Sequence, residues 1–152
     1  MKRSRKLSDK DAVRRALVGE ARRLLGRPYK YGAWWQHAPR EFDCSSFVQY
    51  LYKTVGIAIP RVSIDQAREG RRILPVARLL KIGDLIFLRG HQGRYDRHFP
   101  RGIGHVVIVT GPDEVIHARS RKVRGRERGK VVTGRLSSVL ARDDVAVVKR
   151  II

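Results

Sequence analysis

Apolar residues at Ala12, Val13, Ala16, Leu17, Ala21, Leu24 and Leu25 recur at helical spacing behind Ser8, which with Asp11 three residues on predicts a capped start; Gly26 and Pro28 stop the run. A second helix is predicted from Phe47, Val48, Tyr50, Leu51, Tyr52 and Val55, with Asp43 as its N-cap and Gly56 closing it. The stretch between them, PYKYGAWWQHAPREF, holds no steady period and reads as a structured loop, with Tyr31, Trp34 and Trp35 packed beneath it. Past residue 60 the pattern changes. Ser63 with Gln66 predicts the cap of a short helix, and then DLIFL, HVVIVT, EVIHA, KVVTG and VAVVKRII follow as short runs rich in β-branched residues. Helices first and strands second predict an α+β fold, N-terminal helices packed on a largely antiparallel sheet, rather than the alternating units of a parallel one.

Length changes this picture little: 152 residues suit one domain over 1–152. No apolar run precedes Arg14 and Arg15 as a secretory signal would require, and none could span a bilayer, so the chain reads as soluble and monomeric. Charge adds more. Thirty-four Lys and Arg against 14 Asp and Glu give a formal charge of +20, a field that draws nucleic acid, anionic lipid or a carboxylate-rich cell wall without choosing among them. Much of it lies in two segments between the strands, RGHQGRYDRHFPRGIG and RSRKVRGRERGK.

The single cysteine, Cys44, falls in the first turn of the second helix. Free backbone N–H groups and the positive end of the helix dipole favour a thiolate there, which predicts a thiol titrating below free cysteine. The other reading of a lone cysteine beside apolar residues is inert packing. A nucleophile needs a base. His105 opens one strand run and His117 ends the next, so a hairpin between them would bring the imidazoles side by side. His37, His91 and His98 read as surface or structural residues, and the close spacings of a zinc site are missing, so no metal or cofactor is expected.

The blocks PYKYGA, FDCSSFVQYLY, IPRVSIDQ, IGDLIFL, GHVVIVTG and VIHA, in this order over about residues 26–120, resemble the motifs of the NlpC-type cell-wall cysteine peptidases. The resemblance implies a papain-like fold that hydrolyses peptidoglycan stem peptides, at the bond from γ-D-glutamate to the diamino acid. It makes Cys44 the nucleophile, His105 the base and His117 the orienting residue. Tyr29, Asp43 and Ser45 match residues flanking the nucleophile, and Arg61 of the IPR block is a candidate for substrate carboxylates. Ser46, Ala33, Val107 and Val109 depart from the family pattern and predict a narrower subsite. Two alternatives stay open: a related amidase cutting between sugar and peptide, and a non-catalytic polyanion binder working through the basic loops. The preferred partners are stem peptides and the anionic wall surface, with no specific nucleic acid; the absent leader would suit either export by another route or action on wall fragments in the cytoplasm.

Overall fold

The structure, a computed structural model, describes residues 8–90 and 94–152. Helix α1 covers Asp9–Arg23; Ser8 caps it, its Oγ accepting the Asp11 N–H at 3.2 Å, and Arg22 and Arg23 in the last turn complement the dipole. It ends where Gly26 adopts φ 87°, the left-handed conformation a side chain would resist. Helix α2, Cys44–Thr54, starts at Asp43 as its sequence predicts. Helix α3 is the single turn Ser63–Gln66, but its N-cap is Val62, with no side-chain cap. The predicted Ser63 cap is not made because Gln66 turns inward instead, fully buried, its Nε2 donating to the carbonyls of Ser45 and Pro60 at 3.0 and 2.7 Å. A fourth helix, α4 at Leu136–Leu140, interrupts the strand region.

Eight strands follow in chain order: β1 Arg71–Ile73, β2 Leu85–Leu88, β3 His105–Gly111, β4 Glu114–Arg119, β5 Lys122–Val123, β6 Arg126–Glu127, β7 Lys130–Gly134 and β8 Val145–Arg150. Six form one sheet in the order β1-β8-β2-β3-β4-β7, with every neighbouring pair antiparallel. This is the expected α+β architecture. The basic segment read as a loop carries a small hairpin, β5 on β6, which stands apart from the main sheet.

Alternation along the strands splits the core in two. One face carries Leu85, Phe87, Val106, Ile108, Ile116 and Ala118 and packs on Leu17, Phe42, Phe47, Val48, Leu51 and Tyr52 from the helices and the segment before α2. The other carries Ile86, Leu88, Val107, Val109, Val115 and Val148 under Leu136 of α4. Strand β2 is therefore buried on both sides, which is why LIFL is apolar without a break.

The long segment between β2 and β3 is tied at its neck. Gly104 N–H donates to the Leu88 carbonyl at 2.8 Å, and a Cβ placed on Gly104 would lie only 2.7 Å from Gly90 Cα. Further out, Arg94 bridges Ile103, Phe99 packs on the helix-side core, and Arg68 pairs with Asp96. Its residues 91–93, with the expected surface residue His91, lie outside the described residues. No helix among the described residues is long and apolar enough to cross a membrane.

Candidate active site

The start of α2 is assembled from three distant segments. Asp43 Oδ1 accepts the Ser46 N–H at 2.8 Å, and Ser46 Oγ returns the bond by accepting the Asp43 N–H at 2.9 Å, a reciprocal cap. The other carboxylate oxygen takes the Gly32 N–H at 3.1 Å and the Arg61 guanidinium at 2.7 Å. Arg61 also donates from Nη1 to Ser45 Oγ at 2.8 Å and from Nε and Nη2 to the Ala33 carbonyl at 3.1 and 2.6 Å. All three of its nitrogens thus point inward. Arg61, a candidate for substrate carboxylates by its sequence, is placed to brace the start of α2 against the 28–33 loop.

That loop is held by its backbone. Tyr29 N–H donates to the Gly129 carbonyl at 2.8 Å, Phe42 N–H to Pro28 at 3.1 Å, and Lys30 N–H to Phe42 at 2.9 Å. Tyr29 is half-buried near Cys44; burial, then the Cys44 and Asp43 charges, hold its hydroxyl protonated well above the usual phenol range. The aromatics Tyr31, Trp34 and Trp35, expected beneath the loop, are instead 84%, 61% and 74% exposed. The aromatics buried in this stretch are Phe42 and Phe47, whose rings pack edge to face with centroids 5.5 Å apart. Trp34 and Trp35 instead border an open groove of about 770 Å³ over Tyr50, Lys53 and Ile57, which meets the site only at Ser46.

Cys44 is buried at the first residue of α2, where the Val106 N–H, one residue along β3 from His105, and the Ser45 N–H favour its thiolate. Burial outweighs them. It pushes the thiol up to about 11, helped by the Asp43 carboxylate, so the expectation of a thiol below free cysteine is reversed: desolvation of a charged sulfur beats the helix end.

The two histidines meet as their hairpin implies. His105 Nε2 lies 2.7 Å from His117 Nδ1, with the rings nearly perpendicular at 71°. This hydrogen bond fixes the tautomers against each other and leaves His105 Nδ1 as the atom free of the pair. Burial drives His105 down to about 3, with His117, Arg142 and Arg119 adding to it, and His117 to about 4, with Arg119 and Arg142 adding. Near neutrality the site holds a thiol and two uncharged imidazoles. His37 is structural, its Nδ1 accepting the Trp34 N–H at 2.8 Å, and His98 is exposed. Among the described residues no three His, Cys, Asp or Glu side chains are grouped to hold a metal.

The residues departing from the motif pattern do not line the sulfur's side of the cleft. Ser46 serves the cap, Ala33 is buried with its carbonyl on Arg61, and Val107 and Val109 belong to the far-side core. Sequence reasoning missed the bracing role of Gln66 on Ser45, and it missed Arg119 and Arg142 beside the imidazoles. Gln66 carried a signal only as a capping residue, whereas the two arginines carried none beyond charge.

Residues 26–140 match the NlpC/P60 family. A probable endopeptidase p60 of Listeria innocua is 33% identical over 124 residues, covering 78% of this chain and 24% of that protein. A gamma-D-glutamyl-L-lysine dipeptidyl-peptidase of Bacillus cereus is 35% identical over 102 residues, covering 67% of this chain and 27% of that protein. The crystal structure of an NlpC/P60 family protein from Bacillus cereus superposes with a TM-score of 0.70 at 28% identity, covering 90% of this chain and 39% of that one. The chain spans less than half the length of the first curated relatives it matches, from 18% to 42%. The extent of the family match, together with the helix-borne thiol and paired imidazoles it encloses, makes this chain a member of the NlpC/P60 family.

Proposed function

We propose that the protein is a cysteine endopeptidase of peptidoglycan stem peptides, cleaving between γ-D-glutamate and the following diamino acid. The observation that carries this reading is the 2.7 Å bond from His105 Nε2 to His117 Nδ1, which leaves Nδ1 of His105 for a thiol at the head of α2. Cys44 Sγ attacks the scissile carbonyl carbon as its proton passes to His105; His117 holds that ring and shares the positive charge that develops. The tetrahedral intermediate collapses when His105 returns the proton to the amine nitrogen and the C–N bond breaks. Water, deprotonated by the same imidazole, then hydrolyses the thioester. The Cys44 N–H, free at the helix start, and the protonated Tyr29 hydroxyl are the candidate donors to the oxyanion. Asp43, Ser45 and Arg61 keep these groups in register.

The raised thiol and lowered imidazole support base catalysis concerted with attack rather than a preformed thiolate–imidazolium pair. The bond specificity follows the named activity of the Bacillus cereus relative. The surplus of basic residues, including the exposed β5–β6 hairpin, is assigned to retention on the anionic wall. Digestion of a stem tetrapeptide tests the reading by mass spectrometry. The wild type releases a dipeptide beginning with the diamino acid, and Cys44→Ala releases none while still binding sacculi. Intact stem peptide with bare sugar would identify an amidase instead, and no product from any wall substrate would leave a polyanion binder.

A further inference from the structure

The β4–β7 ladder sets Arg119 directly opposite Lys130, and His117 opposite Val132. Because side chains alternate, His117, Arg119 and Lys130 share one face of the sheet. Beyond the Ile108–Ile116 pair, where the β3–β4 ladder ends, His105 is joined to β4 by the 2.7 Å bond from its Nε2 to His117 Nδ1. His117 thus links His105 to the Arg119–Lys130 pair, and the Arg119 charge is felt by both imidazoles.

Two like charges facing each other in a ladder destabilise it. Two other arginines of the site have acidic partners: Arg142 in Asp144 at 2.8 and 2.7 Å, and Arg61 in Asp43 at 2.7 Å. Arg119 and Lys130 are both exposed, and among the described residues neither makes a side-chain hydrogen bond or ion pair. Glu127, the only acid in the segment 119–130, is engaged by Ser120, Lys122 and the N–H groups of Arg121 and Gly129. The pair is thus an open, doubly cationic position beside the imidazoles, and an anion between the two would remove their repulsion and be held by charge-assisted bonds.

We propose that Arg119 and Lys130 form a subsite for a carboxylate on the leaving-group half of the substrate. The assignment rests on the peptidase reading above: His105 hands its proton to the departing amine, so that half lies against His105, within reach of the Arg119 charge that this imidazole feels. A carboxylate there would also offset the Arg119 field on the imidazoles and favour the charged form that His105 passes through.

Three peptides sharing L-alanyl-γ-D-glutamyl and ending in diaminopimelate, lysine or lysine amide test this, since they carry two, one and no carboxylates after the scissile bond. For the wild type, kcat/KM falls in that order, by about tenfold or more overall. Arg119→Gln and Lys130→Gln compress the ratio toward one, mainly through KM, and the step that compresses identifies the side-chain or terminal carboxyl as the ligand. Equal losses on all three peptides, no preference in the wild type, or an effect confined to binding of intact sacculi would overturn the subsite. If no peptide is cleaved, the peptidase reading fails by itself. Calorimetric titration of the same peptides into Cys44→Ala, with and without Arg119→Gln, then decides the subsite: an affinity order lost with Arg119 upholds it, and indifference to Arg119 overturns it.

Discussion

Helix α1 begins at Ser8, whose hydroxyl accepts the Asp11 N–H in solvent, while α2 begins at Asp43, whose buried carboxylate accepts from Ser46, Gly32 and Arg61. The capping chemistry is the same. At α1 it satisfies a helix end with residues three apart in sequence, and its one link outward runs through Asp11 and Arg14 to the Ile152 carbonyl, away from the thiol and the imidazoles. At α2 the cap gathers the 28–33 loop and the 59–61 turn around the residue that carries the thiol. One saturated carboxylate fixes the backbone N–H groups, the sulfur and the loop bearing Tyr29 at once, so local helix formation becomes precision in a site.

Breaking the second cap should therefore cost far more than breaking the first. Asp43→Ala leaves the Arg61 guanidinium partly buried without its counter-charge and frees two N–H groups; a loss of about 3 kcal/mol in denaturant titration is expected, with peptidase activity falling roughly a hundredfold through misplacement of the sulfur.

Acid sharpens the contrast by reaching the site without a mutation. The imidazoles have an ordinary value of 6.5 but titrate at about 3 and about 4 in the fold, so on acidification the unfolded chain takes up protons that the native state refuses. Stability is complete above pH 6.5 and declines as pH falls toward those values. Between about pH 6.5 and 5 carboxylates remain largely ionised, so the slope of the denaturation midpoint there reports the histidines; His105→Gln should flatten it.

Arg61→Lys keeps the charge but cannot reach Asp43, Ser45 and Ala33 together, and a loss of about 1–2 kcal/mol with a several-fold fall in activity is expected in the same assays. Ser8→Ala completes the series. It should cost about 1 kcal/mol and leave kcat/KM unaltered; a fall in activity matching that of Arg61→Lys would abolish the distinction between the two caps.

Both caps could be read in the sequence because their signals are local, and so could the five longer strands, whose β-branched runs form long ladders. Strand β1 could not. Arg71, Arg72 and Ile73 have no strand pattern of their own and are extended only because β8 pairs with them. Nor could the β5–β6 hairpin, two residues a side among arginines. Cys44, His105 and His117 carried a pattern of chemistry, but the state of the thiol depends on how deeply α2 sinks against β3, which no spacing reports. The three aromatics of the 31–35 stretch misled for a related reason: hydrophobicity says that a side chain would gain from burial, not that space beneath is vacant.

Gly104 immediately precedes His105, and its contact with Gly90 works like a drawn purse-string. The strands on either side are set by that tie, so lengthening or shortening the intervening segment exerts no leverage on the imidazole. This cleft could be given a new rim without retuning its chemistry. A side chain at the knot would do the opposite, prising β2 from β3 at the residue adjoining His105.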